Sequence, residues 1–276
     1  MTRSTALMGK GGTGKTLIAV HLAMAMSYLG VRTLLVGCDQ KQDTACALLK
    51  DRKPSLMERL ETHRFDYLKA EPTQVLQPVT PYLDVLELGP SPLLVGNYGG
   101  VFDEGFHYFQ AHRLTESYQQ VIFDVGDERW DSAVQPLLRQ VNAVVAVTDE
   151  SPQSLFVVNR LMRTLLIGAY EYHYPAKLLG LVNNRSRNPL AFERYVEKTR
   201  AFPLLTLPDN TELEHLRPFH TTLFAMKRPP PHLDRLITDF IKLAEMLQGT
   251  PLNLYTMLPL TDEDIWHLPP PVTMPN

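Results

Sequence analysis

Short apolar runs alternate along this chain with longer segments in which apolar residues recur at helical spacing. The apolar runs predict β-strands at residues 5–8, 33–36, 85–88, 121–124, 143–147, 178–182 and 203–207. The helical spacing predicts helices at residues 17–26, 152–168, 189–200 and 232–247. Strands that are apolar on both faces are typical of parallel sheets, which helices cover on both sides. The pattern therefore predicts an α/β fold with a doubly wound, mostly parallel sheet.

Three stretches interrupt this alternation. Residues 63–82 and 90–105 are interrupted by prolines or glycines, and we expect irregular structure in the first and a surface loop in the second. From residue 250 onward, repeated prolines predict an extended or polyproline-like tail. The sequence is thus divided into one α/β domain, residues 1–249, and a Pro-rich C-terminal tail, residues 250–276.

Composition narrows the class of protein. With 276 residues, 44% of them hydrophobic, the chain is long enough to bury a sizeable core. Its formal charge of −3 gives no general attraction to nucleic acid or to anionic lipid. No apolar stretch approaches the roughly 20 residues that cross a bilayer, and residues 1–4 lead straight into the first strand without room for a signal peptide. Cys38 and Cys46 imply no disulfide framework, so we expect a cytoplasmic protein.

The segment between the first strand and the first helix fits the phosphate-binding pattern G-x-x-x-x-G-K-[ST]. It consists of Gly9, Lys10, Gly11, Gly12, Thr13, Gly14, Lys15 and Thr16. Its bare backbone N–H groups and the helix N-terminus behind them suit a polyphosphate. Lys15 is expected to reach the β- and γ-phosphates, and the Thr16 hydroxyl is expected to bind Mg²⁺. The segment predicts a P-loop NTPase that binds Mg-ATP.

A lysine directly after the first glycine marks the deviant Walker A form of this loop, that of the SIMIBI class. In that form the additional lysine, here Lys10, reaches across a dimer interface to the phosphates bound by the other subunit. A cation in that position stabilises the charge that develops in the transition state. The sequence therefore predicts a homodimer whose formation switches hydrolysis on. The alternative is a solvated loop lysine.

Acidic residues follow two of the predicted strands, at the edge where ligands of open α/β sheets bind. After the second strand, Asp39 is placed to orient or deprotonate the attacking water, and Asp43 to hold Mg²⁺ through water and sense the γ-phosphate. After the fourth strand, Asp124 is expected to hold Mg²⁺, and Asp127 to carry the resulting motion outward. The alternatives are an acidic turn that only solvates the loop, and an aspartate that caps the next helix.

Together these strings resemble the nitrogenase iron protein and the ATP-dependent L and X proteins of the dark protochlorophyllide and chlorophyllide reductases, within the larger MinD/ParA class. The resemblance covers residues 3–247. Its narrower mark is the string G-C-D-Q-K-Q-D-T at residues 37–44, in which Gln40 replaces the family's usual proline. The resemblance implies that Lys41 contacts the nucleotide and that Asn184, at the end of a strand, contacts its base.

The resemblance also implies a [4Fe–4S] cluster that a dimer holds with two cysteines from each subunit. One cysteine is expected within residues 96–102 and the other just after Asp127, and neither place contains one. Cys38 and Cys46 are interpreted as small buried thiols. Such a cluster is therefore not expected. The alternative is ligation by other side chains near those places: Asp103, His107 or Asp131.

Three functions follow from these observations. The first is a cluster-free, dimeric ATPase switch that docks on, assembles or regulates an unidentified partner protein. The second is a reductase component that donates electrons from an unusually ligated cluster. The third is a MinD/ParA-like positioning ATPase, although the acidic, proline-containing C-terminus and a modest basic cluster give no strong membrane or nucleic-acid signal.

One aromatic group bears on the partner. The resemblance places it in the segments that form the docking face of the family: Phe102, Phe106, Tyr108, Phe109 and Trp130. These rings either fill the space along the dimer axis or anchor a partner, or they pack in the core as the apolar face of a helix.

Overall fold

The structure is a computed structural model that describes residues 2–39, 42–89, 98–126, 134–175, 177–186, 189–208, 213, 216, 220–249, 259 and 261. Within these residues one eight-stranded sheet has the order β3-β4-β2-β5-β1-β6-β7-β8. Its strands are β1 Arg3–Met8, β2 Thr33–Gly37, β3 Gln77–Thr80, β4 Leu83–Glu87, β5 Gln120–Asp124, β6 Ala143–Thr148, β7 Lys177–Ser186 and β8 Pro203–Pro208. Only the β3–β4 pair is antiparallel, so the predicted mostly parallel sheet is confirmed.

Helices connect the strands and cover both faces of the sheet. They are α1 Lys15–Tyr28, α2 Asp43–Leu48, α3 Leu56–Thr62, α4 Pro72–Val75, α5 Tyr98–Ala111, α6 Gln135–Leu138, α7 Pro152–Glu171, α8 Pro189–Thr199 and α9 Pro231–Gly249. Successive side chains of a strand point to opposite faces. Accordingly, Leu7 packs in the cluster under α1 and α9, whereas its neighbours Ala6 and Met8 pack in the cluster under α3, α5, α7 and α8. The doubly wound arrangement is confirmed.

The prediction of a loop at residues 90–105 is wrong for its second half, because α5 begins at Tyr98. Residues 90–97 lie outside the described part of the chain. The helix forms despite three glycines because its apolar side packs on the sheet, and Gly105 lies against Leu88, where an added Cβ would be 3.0 Å from Leu88 Cδ2. Burial of that side outweighs the poor helix propensity of glycine, which costs about 1 kcal/mol per residue.

The same packing decides between the two interpretations of the aromatic group. Phe102, Tyr108 and Phe109 are buried in the core, and Phe106 lies with its ring centroid 5.7 Å from that of Phe123 in β5. The core-packing alternative is therefore confirmed for these four rings, and they are not exposed anchors for a partner. Trp130 lies outside the described residues.

Residues 63–82 are also more regular than the sequence predicts. Pro72 begins α4, a position where the missing N–H of proline is tolerated. Pro78 lies in β3, an edge strand, where a proline removes no hydrogen bond from the sheet interior. Of the tail, only Pro259 and Thr261 belong to the described residues, so the domain boundary at residue 249 stays a prediction. A search of the described helices finds none long and apolar enough to cross a membrane.

Candidate functional site

The predicted phosphate loop, residues 9–16, connects the carboxyl end of β1 to the first turn of α1. Gly14 precedes the helix in the left-handed conformation, with φ 85° and ψ 24°. A Cβ on Gly14 would lie 2.3 Å from Nδ2 of Asn184, which donates a 2.7 Å hydrogen bond to the Thr13 carbonyl. Only glycine fits here, because any side chain would need a strained φ and would displace Asn184. The loop is thereby fastened to β7, two strands away from β1.

The loop lysine lies against its own backbone. The ammonium of Lys15, a residue that is 8% exposed, donates hydrogen bonds to the carbonyls of Gly9 at 3.0 Å and Lys10 at 3.1 Å. The hydroxyl of buried Thr13 donates to the same Lys10 carbonyl at 2.8 Å. The loop therefore carries its cation on the inside, where a polyphosphate wrapped by the loop backbone would meet it.

Asp124 connects the phosphate loop to helix α2. It ends β5, is 2% exposed, and accepts a 2.7 Å hydrogen bond from the Thr44 hydroxyl in α2. Burial raises the pKa of Asp124, and hydrogen bonds from Thr44 and Thr16 and the charge of Lys15 oppose that rise. A carboxylate beside a loop threonine is the arrangement that P-loop enzymes use for Mg²⁺, so the residues present fit this ion.

The second acidic segment lies beside the first. Asp39 follows β2 and is half-buried against Gly126, where an added Cβ would be 3.3 Å from Asp39 Cγ. Asp43 is the first residue of α2 and is half-buried as well. Lys41 and Asp127, which the sequence assigns to the nucleotide and to signal transmission, lie outside the described residues. The roles of all four residues stay predictions.

Lys10 lies near an acidic residue of its own chain. The pKa of Asp149, which follows β6, is lowered; burial alone would raise it, but hydrogen bonds from Ser151 and Ser154 and the charge of Lys10 outweigh burial. The positive charge of Lys10 thus acts on the Asp149 carboxylate at the carboxyl edge of the sheet. Its predicted action on a second subunit stays a prediction, because the structure contains one chain.

Two buried carboxyl groups at this edge were not predicted from the sequence. Glu87 ends β4, is 3% exposed, and accepts a 2.5 Å hydrogen bond from the Ala45 N–H; burial raises its pKa to about 8. Glu150, which follows β6 with φ 64°, accepts hydrogen bonds from Asn183 Nδ2 and Ser186 Oγ, each at 2.7 Å. The signal for Glu87 was available, since it is an acid at the end of a strand. We call Asp39, Asp43, Glu87 and Asp124 the acidic cluster.

The two cysteines are half-buried and not buried as the sequence predicts, and the surroundings of Cys38 oppose iron–sulfur ligation. Cys38 follows β2, and its half-buried thiol donates to the Val36 carbonyl at 3.6 Å. Burial, followed by the charges of Asp124, Glu87 and Asp39, raises the pKa of the Cys38 thiol well above its usual value. A cluster ligand must lose its thiol proton, and the raised pKa of Cys38 opposes that step. Cys46 is the fourth residue of α2.

Comparison with known proteins gives the class and then the family. The fold is that of the MinD/ParA P-loop ATPases. A MinD protein from Pyrococcus horikoshii OT3 in complex with Mg-ADP matches with a TM-score of 0.68 at 17% identity, over 90% of this chain and 97% of that one. An ATP complex of Cyanothece McdA matches with a TM-score of 0.68 at 14% identity, over 91% of this chain and 98% of that one.

A family model described as "4Fe-4S iron sulfur cluster binding proteins, NifH/frxC family" matches residues 3–268. A curated relative, the light-independent protochlorophyllide reductase iron-sulfur ATP-binding protein of Rhodopseudomonas palustris (strain BisB18), is 31% identical over 267 residues, which are 95% of this chain and 83% of that protein. The chain therefore belongs to the NifH/frxC family, as the resemblance predicted, and is an ATPase of that family.

Proposed function

We propose that this protein is a dimeric switch that couples ATP turnover to docking on a partner protein, and that it does so without a [4Fe–4S] cluster. The observation that carries the proposal is a contrast within one chain. The phosphate loop and the acidic cluster lie together at one edge of the sheet, whereas the two places where the family has its cluster cysteines contain none.

ATP would bind along the phosphate loop, with the backbone N–H groups of residues 9–16 around its phosphates. Lys15 neutralises the β- and γ-phosphates. Lys10 of the second subunit stabilises the negative charge that develops as the bond between the β- and γ-phosphates breaks. Lys41 and Asn184 hold the rest of the nucleotide. Asn184 can serve the base without leaving the loop, because its amide oxygen remains available while Nδ2 binds Thr13.

The oxygen atoms around Asp124 would hold Mg²⁺. Thr16, Asp43 and Asp124 are its proposed ligands, directly or through water. When bound, the ion supplies positive charge next to the β–γ bridge. Asp39 orients the attacking water and accepts its proton, and Asp127 passes the change at the γ-phosphate to the surface of the dimer.

The positions and surroundings of the cysteines support a protein without the family's cluster. A dimer of this family needs two thiolates from each chain at the two cluster positions, and this chain has no cysteine within residues 96–102 or just after Asp127. Burial, and after it the charges of the acidic neighbours, raises the pKa of the Cys38 thiol and so keeps it protonated; the same neighbours would repel a negatively charged cluster. ATP-driven motion of α2 can still be passed to a partner, since that step needs the γ-phosphate and not an electron.

The test is a comparison of the wild type with Asp39→Asn. The wild type is expected to hydrolyse ATP, and Asp39→Asn to bind ATP but accumulate as an ATP-bound dimer in size-exclusion chromatography. Asp51→Asn, an exposed surface change, is the matched control and should behave as the wild type. If Asp39→Asn remains monomeric with ATP and hydrolyses ATP at the wild-type rate, the proposed dimeric switch is contradicted.

Iron and sulfide assays on protein purified without oxygen test the cluster separately. We expect background iron and no visible absorption that responds to dithionite. About two irons per chain, with matching sulfide, would instead support the reductase alternative. The two results are independent, because ATP turnover does not require the cluster.

A further inference from the structure

Glu87 lies where the sheet meets the first turn of α2. It is the last residue of β4, and it pairs in register with Gly37, the last residue of β2. Its carboxyl group extends towards α2 and accepts the Ala45 N–H through Oε1 at 2.5 Å. The residue is 3% exposed, so water does not replace this contact.

The hydrogen bond from Ala45 takes the place of a missing helix cap. Gln42, the N-cap residue of α2, has φ 54° and makes no side-chain hydrogen bond to the helix. Ala45 is the third residue of α2. The N–H of the third residue of a helix normally donates a hydrogen bond to the N-cap side chain. In this protein the acceptor comes from Glu87, 42 residues along the chain. A six-residue helix has few other interactions that could fix its first turn.

The space around the carboxyl group is closely fitted. A Cβ on Gly37 would lie 1.9 Å from Glu87 Oε2, 2.6 Å from its Cδ and 2.8 Å from the Thr44 hydroxyl oxygen. The absence of a side chain at residue 37 therefore lets Glu87 and Thr44 occupy the same small volume. Oε2 of Glu87 is buried and has no hydrogen-bond partner among the described residues. Burial of such a group is costly, and the cap contact through Oε1 offsets part of that cost.

We propose that Glu87 is a positioning residue for ATP hydrolysis, which caps α2 from the neighbouring strand and thereby holds Thr44 against Asp124. The inference rests on the proposed function. Among the residues that the structure describes, Glu87 bonds to α2 and not to the phosphate loop, and it does not need to touch the nucleotide. If α2 is not capped, Thr44 and Asp43 lose their fixed positions beside Asp124, while Lys15 and the loop backbone stay in place.

The test separates the acceptor from the charge. Glu87→Gln keeps an oxygen that can accept the Ala45 N–H, whereas Glu87→Leu removes it at similar volume. We expect Glu87→Leu to lower kcat about 10- to 100-fold, as a small misplacement of catalytic groups does, with KM for ATP changed less than about threefold because the phosphate loop is intact. Glu87→Gln is expected to retain kcat within about threefold. Glu245→Leu, an exposed change on α9, is the matched control.

Hydrogen exchange of the Ala45 amide, measured without nucleotide, provides a readout that does not depend on turnover. The amide is expected to exchange faster in Glu87→Leu than in the wild type or Glu87→Gln, with the rest of the sheet unchanged. Gly37→Ala, which displaces the carboxyl group from the other side, should reproduce the kcat loss. Equal kcat and equal exchange in Glu87→Leu and the wild type would overturn the inference, and so would an equal loss in Glu87→Gln. A wild type without ATPase activity would contradict the proposed function instead, and the exchange data would still test the cap.

Discussion

The phosphate loop and the acidic cluster lie at the same edge of the sheet, but they differ in how their polar groups are compensated. In the loop, Lys15 and Thr13 donate to loop carbonyls, and Asn184 fastens the loop to β7. In the acidic cluster, burial raises the pKa of both Asp124 and Glu87, and one oxygen of Glu87 has no partner among the described residues. The loop is thus organised before any ligand binds, whereas the acidic cluster carries an electrostatic cost that a bound cation would relieve.

This difference assigns separate tasks to the two regions. A preorganised loop binds phosphates with little rearrangement, which favours affinity. A cluster of desolvated carboxyl groups favours a state that depends on the ligand, because adding or removing a cation changes the balance among its members. We therefore expect changes to the loop groups that bind the phosphates of the same chain to affect ATP binding, and changes beside the acidic cluster to affect turnover.

The largest effect is expected from Lys15→Ala. Removal of the ammonium leaves the β- and γ-phosphates without their main cation, so ATP affinity should fall beyond detection, about 1,000-fold or more. Isothermal titration with Mg-ATP measures this directly. Lys69→Ala, which removes an exposed lysine paired with Asp66, is the control and should bind as the wild type. Binding of ATP by Lys15→Ala within tenfold of the wild type would remove the distinction between the two regions.

Lys10→Ala should separate binding from turnover within the loop itself. Because Lys10 is proposed to act on the nucleotide of the other subunit, its loss should leave ATP affinity within about threefold and lower kcat about 1,000-fold, a magnitude typical of a cation supplied in trans. Equal losses in affinity and kcat would contradict a role in the transition state.

Mixing two inactive variants tests whether the lysine acts in trans. In a mixed dimer of Lys10→Ala and Asp39→Asn, one site combines an intact Asp39 with the intact Lys10 of the partner. Since half of randomly paired dimers are mixed and each has one complete site, about a quarter of wild-type activity should return. No recovery would show that each Lys10 serves its own chain.

Much of this site could be predicted from the sequence, because its chemistry is local in the chain. The phosphate loop is a continuous string, and the positions of Asp39 and Asp124 follow from the rule that ligands bind at the carboxyl ends of parallel strands. Other residues of the site have roles that depend on contacts with residues distant in the chain. Glu87 acquires its contact only when β4 pairs with β2 and brings it to Ala45.

The helix α5 was missed for a similar reason. Its glycines predict a loop when they are considered alone, but Phe102 and Phe109 bury one side of the segment against the sheet. The base contact of Asn184, which the resemblance implies, stays a prediction, and the hydrogen bond of Asn184 to the Thr13 carbonyl could not be inferred from spacing. What the sequence lacks in each case is the identity of the neighbour across the fold.

The smallest expected effect concerns the support behind the phosphate loop. His21 in α1 is 3% exposed, donates from Nδ1 to the Leu17 carbonyl at 2.8 Å, and accepts the Leu223 N–H at 3.3 Å through Nε2. Burial lowers its pKa from 6.5 to about 4, against the opposing effect of the Leu17 hydrogen bond. Below pH 6.5 the unfolded chain binds a proton at His21 that the folded protein does not bind until about pH 4. Folding stability should therefore decrease as the pH is lowered through this window. At pH 5 the free energy of unfolding should be about 2 kcal/mol lower than at neutral pH.

His21→Gln removes this titration and should flatten the acid side of the stability curve, although it is expected to be less stable than the wild type at pH 7, where the neutral imidazole stacks on Phe240. Urea unfolding at pH 7, 6 and 5 measures the difference, with exposed His232→Gln as the control. Parallel curves for His21→Gln and the wild type would mean that His21 is not held neutral. A flatter stability curve for His21→Gln would show that burial disfavours the charged form of His21 in α1, as it disfavours the charged forms in the acidic cluster. The two regions would then differ in hydrogen bonding rather than in desolvation.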